Sequence, residues 1–419
     1  MSTATSMRRS AAALAACVAL VASACANEPA TIEDASLVAA GNAHSPTVAV
    51  AADGATYVAW VSGDSTFDVL LARAGEQPVR VNDIAGDAAP HAQAPAQVAL
   101  GPEGNVYVAW QNNTPIEGRR FPASDLRFAR SADGGRTFEP AIHVNDDAGG
   151  VPASHTFHDV AVGDDGTVYV SWIDGRVRAQ AESPRHADAP AHEHGDSDTG
   201  PEIRVARSRD GGRSFGPGVV VTPKACPCCR TTLAVSGRNV YVAWRDVTDD
   251  NVRNIVVAHS ADGGETWSAP RAVHQDAWQI DGCPHAGPSL AIGRDGRLHV
   301  AWYTGAPDRP GIYHAVADDG LHFGAPAPLL SGEWVPPSLV ELAATDGAML
   351  AAWDDRRSEV PRLTLERLAD GAQSAGFRAR GRAHSETAGL APALAANGGR
   401  YALAWLRGDS VYVRLGALP

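Results

Sequence analysis

The chain has 419 residues with 35 basic and 48 acidic side chains, a net charge of −13, and Lys224 as its single lysine. It therefore has no basic face to offer a nucleic acid. Hydrophobic residues make up 44%, enough for a large core, and the length exceeds a usual single domain unless the fold grows by repetition.

Taken in order, residues 1–25 stand apart from the rest. Arg8 and Arg9 form a positive start, and Ala11 to Val21 is an apolar run too short to span a bilayer. It ends in Ala22-Ser23-Ala24-Cys25, which resembles a bacterial lipobox with Ala22 where Leu is usual. Lipid on Cys25 would anchor an exported chain to the membrane of the cell envelope without a spanning helix. A plain signal peptide cut near Ala24 or Ala26 is the alternative, and either route exports the protein. Residues 26–43 read as a linker plus one strand, Ala35–Ala39, and 44–419 as one repeated domain.

One hydrophobic phrase recurs seven times in that domain. Tyr57-Val-Ala-Trp60, Tyr107-Val-Ala-Trp110, Tyr169-Val-Ser-Trp172 and Tyr241-Val-Ala-Trp244 are close copies, and the phrases ending at Trp302, Trp353 and Trp405 are looser. Successive tryptophans lie 50, 62, 72, 58, 51 and 52 residues apart. Before each comes a tight turn such as Asp53-Gly54 or Asp165-Gly166, and before that another short apolar run. A third alternating strand follows each phrase, and a fourth follows that, as in Val219 to Thr222. Seven four-stranded units predict an all-β, seven-bladed propeller. The last unit supplies only three strands, so Ala35–Ala39 is expected to complete it and close the ring. Between Trp172 and Ile203 the rhythm breaks at a His-rich insertion, about 177–200, with His186, His192 and His194, which reads as a solvated loop.

Four third strands run into a second repeat. Its copies are Ser131-Ala-Asp-Gly-Gly-Arg-Thr-Phe138, Ser208-Arg-Asp-Gly-Gly-Arg-Ser-Phe215 and Ser260-Ala-Asp-Gly-Gly-Glu-Thr-Trp267. Val316-Ala-Asp-Asp-Gly-Leu-His-Phe323 is a decayed fourth. These segments resemble the Asp boxes of the sialidase-like (BNR-repeat) propellers, with Asp133, Asp210, Asp262 and Asp318 as the box aspartates. In that family the boxes are structural and lie away from the active site, and catalytic members usually have six blades. The resemblance covers about residues 31–419.

Chemistry is expected on the opposite face, where each outer strand connects to the next inner one. Most of these connections are bland, such as Ser45-Pro-Thr or Ala391-Pro-Ala. Three consecutive ones are not. The third blade opens with His155-Thr-Phe-His158-Asp159, the fourth with Cys226-Pro-Cys228-Cys229-Arg230 and the fifth with Cys283-Pro-His285. Disulfides are one expectation for an exported chain. A thiolate–imidazole site for copper(I), zinc or iron is the other, with Asp159 orienting a ligating histidine. Arg230 stands where c-type haem attachment needs a histidine.

The family resemblance also implies a glycosidase reading, acting on acidic glycans with an arginine cluster for a carboxylate and a tyrosine nucleophile. Residues expected on the right face are Arg230, Arg245, Asp246 and Tyr303, with Asp174, Arg176, Asp355, Arg356 and Arg357 beside them. The W-x-D-x-R spacing recurs, however, which also suits a blade-stabilising ion pair. The family's Arg-Ile-Pro motif is absent, and Arg119-Arg120-Phe121-Pro122 differs from it. The sequence thus predicts an exported, lipid-anchored monomer that binds a small molecule, a glycan or a metal through the Cys/His cluster, with an exo-α-sialidase-type hydrolase as the alternative.

Overall fold

A computed structural model describes residues 1, 35–119, 121–181, 200–368 and 387–418. Cys25 and the rest of the expected leader, Arg120, and residues 182–199 of the insertion with its histidines lie outside the described residues. The chain forms seven four-stranded antiparallel sheets, each taken from one stretch of sequence except the last. In that one, Ser36–Ala39 pairs with Ser410–Ala417, Ser36 opposite Val413, so the first strand closes the ring against the last.

The repeated phrase is the second strand of every blade: Thr56–Ser62, Val106–Gln111, Val168–Asp174, Asn239–Arg245, Leu298–Thr304, Met349–Asp355 and Arg400–Arg407. Its residues are buried on both sides because each sheet is sandwiched between neighbouring blades. Trp60, Trp110, Trp172, Trp244, Trp302 and Trp405 are all less than 2% exposed. Each such indole removes roughly 150–250 Å² from water, on the order of 4–6 kcal/mol. The core is therefore a ring of inter-blade layers, as where Tyr57, Val61 and Leu71 pack with Val98, Val108 and Trp110 of the next blade.

The Ser–Asp hairpins join third to fourth strands at one end of the ring. Asp133 accepts the Arg136 and Thr137 amides at 3.0 Å and the Thr137 hydroxyl at 2.6 Å, while Ser131 Oγ donates to it at 2.7 Å. Asp210 and Asp262 repeat the pattern. Gly212 must be glycine: its φ is +82°, and a Cβ would lie 2.9 Å from Phe128. The decayed copy departs from the expected alignment. Ala317 pairs with Leu298, the place that Ser131 takes against Val106, so the turn is one residue shorter. Asp319, not Asp318, accepts the Leu321 and His322 amides there.

At the other end, three inner strands begin with a bulge. The register slips between His44 and Thr47, between Thr156 and Asp159, and between Leu390 and Ala393. Within these slips Ser45, Phe157 and Ala391 take positive φ, a conformation that costs a non-glycine residue about 1 kcal/mol. The insertion opens as a short helix, Arg176–Ala181.

Deleting residues 1–40 should lower the thermal midpoint and cause association through the bared edge of Ser410–Ala417. Thermal unfolding with size-exclusion chromatography measures both, and a monomer with an unchanged midpoint would contradict this account of closure.

Candidate functional site

Seven inner strands leave a cavity of about 190 Å³ on the axis, at the end where those strands start. The charged and hydrogen-bonded part of its wall comes from four consecutive blades, the third to the sixth. Arg230, just ahead of Thr232–Ser236, ion-pairs with Glu341 and donates to the Val340 carbonyl at 3.2 Å. Gly287 permits this approach, since a Cβ there would lie 2.6 Å from Arg230 Cγ. Ser289 Oγ donates to Glu341 at 3.4 Å and accepts the Leu342 amide at 2.9 Å. Asp159 accepts the Leu233 and Val160 amides at 2.8 and 2.9 Å. Burial pushes the Asp159 carboxyl up to about 6 despite those amides. Burial also raises Glu341, with Arg230 pulling the other way. Arg230 Nε has no partner.

The Cys226-Pro-Cys228-Cys229 loop folds inward beside this wall. The Cys226 amide donates to the Arg245 carbonyl at 3.0 Å, and the three side chains are 1%, 4% and 1% exposed. Cys226 Sγ lies 3.6 Å from that of Cys228 and 3.9 Å from that of Cys229, and all three sulfurs fall within 4.8 Å of one another. Phe157, Ile173 and Trp244 surround them. Arg253 Nη1 donates to Cys226 Sγ at 3.0 Å. Hydrogen bonds from the other two thiols, helped by the Arg253 charge, hold Cys226 well below the usual thiol range. Burial pushes Cys229 up to about 12. All are free thiols.

The expected convergence with histidine does not occur. Cys283 and His285 are exposed, and His285 has φ +48°. The His285 ring lies 6.0 Å from that of His91, which packs edge-on against Phe157 at 5.0 Å. His155 sits in a separate network. Its Nδ1 donates to the Ser124 carbonyl at 2.7 Å, and its Nε2 lies 3.1 Å from Asp147 and 3.7 Å from Asp174. Burial opposes its protonation, but Asp147 and Asp174 raise its pKa. His158 donates from Nε2 to the Ala109 carbonyl at 3.0 Å, and burial brings it down to about 4. Asp159 therefore orients no histidine; it faces the axis.

The glycosidase candidates are also dispersed. Arg245 is fully buried, donating from Nη2 to the Ala286 and Tyr303 carbonyls at 2.8 and 2.7 Å and lying over the Trp278 ring. The Tyr303 hydroxyl donates to the Val335 carbonyl at 2.8 Å, and burial raises its pKa. Both hold neighbouring blades together and neither reaches the axis. Asp246 is half-buried, with its carboxyl raised by that burial. Asp174 is taken by Trp172 Nε1 and by Arg176. Asp355 is forked by Arg357, while Arg356 donates to Asp354. Those arginines are blade-stabilising partners.

Several functional candidates lay outside the sequence reading. Glu341 carried a signal, a lone acid on an inner strand, Val340–Ala344, that otherwise holds only leucine, valine and alanine. Arg253, between Val252 and Asn254 in a loop, carried none. Gln93, whose Oε1 accepts the Gly287 amide at 3.1 Å from across the ring, carried none either.

No protein-family model matches the chain, and no curated protein matches it. Solved structures do. An ulvan lyase of polysaccharide lyase family PL25, bound to -[GlcA(1-4)Rha3S]-, is 12% identical with a TM-score of 0.58, over 91% of this chain and 95% of its own. The BP39L lectin from Burkholderia pseudomallei is 10% identical with a TM-score of 0.57, over 90% and 97%. A leech intramolecular trans-sialidase complexed with 2,7-anhydro-Neu5Ac is 10% identical with a TM-score of 0.50, over 91% of each chain. At such identities the likeness is one of architecture: the chain shares its propeller fold with sialidase-like and other glycan-active proteins.

Proposed function

We propose that this protein is an exported, lipid-anchored, monomeric propeller that binds a glycan at the axial end of its ring. One observation carries the reading. The cavity walled by Arg230, Glu341 and Asp159 opens on the face where exposed apolar side chains collect. Of the ten exposed large hydrophobic residues among those described, Ile84, Phe121, Val151, Trp334 and Val360 lie in connections at that end, and Leu390 starts an inner strand there. Trp334 is 64% exposed, a flat ring suited to the apolar face of a sugar. The shared architecture with a lyase and a lectin agrees with this use.

Arg230 is already compensated by Glu341, with Asp159 adjacent, so the cavity suits a neutral hydroxyl-rich sugar better than an anionic one. Below about pH 6 Asp159 carries its proton and donates; above it, the carboxylate only accepts. A second reading, cleavage by an exo-sialidase-type hydrolase, is favoured by the same pair of axial carboxyls, since an acid with pKa near 6 is what protonating a leaving group needs. Among the described residues Arg230 is the lone arginine on the cavity wall, which makes sialosides poor candidates.

Three outcomes are expected. In a glycan-array screen followed by calorimetry, Trp334→Ala should weaken the best ligand about 3–10-fold, the loss of one stacking contact. An unchanged affinity would remove the face from the account. Affinity should fall as pH rises from 5 to 7, and Asp159→Asn, which donates at any pH, should flatten that dependence. Fluorogenic glycosides, sialosides included, decide whether turnover accompanies binding. Cys25→Ser should move the protein from the membrane fraction to the soluble extract; retention in the membrane would refute the anchor.

A further inference from the structure

We infer that Cys226, Cys228 and Cys229 form a three-sulfur site for a monovalent soft metal ion of the copper(I) class, charge-matched by Arg253 and Arg245. The inference is independent of glycan binding. It narrows the Cys/His cluster of the sequence to three sulfurs without histidine or Cys283.

Geometry comes first. An ion bonded to three sulfurs at about 2.3 Å in one plane sets them about 4.0 Å apart. The sulfurs stand 3.6 and 3.9 Å apart, with all three inside 4.8 Å, so little movement is required. Soft thiolate donors select copper(I), zinc or iron–sulfur chemistry.

Coordination number and charge then discriminate. Structural zinc takes four ligands. Among the described residues no histidine, carboxylate or fourth cysteine joins this group. His155 and His158 are bonded elsewhere, and the Phe157, Ile173 and Trp244 wall leaves an apolar surround in place of a fourth donor. Three thiolates and two guanidinium groups sum to −1. A monovalent ion brings the buried site to zero, whereas a divalent one leaves +1 in the core, an uncompensated charge that costs several kcal/mol.

The two arginines are placed for this. Arg253 Nη1 touches Cys226 Sγ at 3.0 Å, and the Arg245 charge acts on Cys229. Arg245 is 0% and Arg253 6% exposed, yet Arg245 Nη1 and Arg253 Nε have no partner. Unpaired guanidinium N–H groups in a dry core are costly unless extra negative charge is present there. Loading the ion supplies it, because metal binding displaces thiol protons and leaves thiolates beside both arginines.

The test uses the full chain, reduced under anaerobic conditions, with copper(I) delivered against bathocuproine disulfonate as the competing chelator. One copper(I) per chain is expected, with only sulfur neighbours in X-ray absorption, and weaker uptake of zinc(II) in a parallel competition. Arg253→Met, which keeps the packing volume, should weaken copper(I) binding about 10–100-fold, with its thermal midpoint checked to separate misfolding from lost charge. Cys283→Ser should retain full stoichiometry. Failure of the reduced protein to take up copper(I) would overturn the site, and tighter zinc(II) binding would overturn the monovalent assignment. Loss of binding in Cys283→Ser, or an unaltered affinity in Arg253→Met, would overturn the ligand set.

Discussion

Everything in this molecule depends on one packing constraint: a four-stranded blade has two apolar faces and can cover neither alone. Each Tyr-Val-Ala-Trp strand is buried because the next blade lies over it, and the seventh blade must in turn meet the first. Closure by Ser36–Ala39 against Ser410–Ala417 makes the last blade four-stranded like the others. With the ring shut, seven inner strands are forced to one axis, and the loops at their starting end are crowded together whatever their sequence. Crowding is what creates buried polar chemistry at that end.

Arginine is the side chain that manages the crowding. Arg245 satisfies two carbonyls from the following blade, Arg176 and Arg357 fork the carboxylate two residues before them, and Arg230 reaches to the sixth blade. A planar fork with five donors does this where a lysine could not, which accords with a chain holding a single lysine. The axial acids and the thiol cluster are then held beside fixed positive charge, and their ionisation is set by that scaffold.

The architecture was legible because its signal is repeated. Seven tryptophan phrases with turns before them left one interpretation, and the missing strand of the last unit pointed to the spare one before the first. The site was legible only in location. Alternation along His155-Thr-Phe-His158-Asp159 suggests that odd-numbered positions share a face, but the bulge with Phe157 at φ +57° re-phases the strand. His155 and His158 then turn toward the second blade while Asp159 meets the axis. The φ of +48° at His285 likewise carries it toward His91 and away from the sulfurs. Tyr303 and Arg245 resembled catalytic residues by position, yet their partners are carbonyls of the next blade, contacts that exist only after closure. The shift from Asp318 to Asp319 follows from a one-residue deletion that strand register reveals and motif spacing conceals.

The central claim is that, of the four cysteines among the described residues, closure buries Cys226, Cys228 and Cys229 together and leaves Cys283 at the surface. Pulsed thiol alkylation of the reduced, native protein, read by peptide mass spectrometry, tests it most directly. The account predicts rapid labelling of Cys283 and slow labelling of Cys226, Cys228 and Cys229 until denaturant is added. Labelling of Cys226, Cys228 and Cys229 as fast as Cys283 in the native protein, or a protected Cys283, would contradict it.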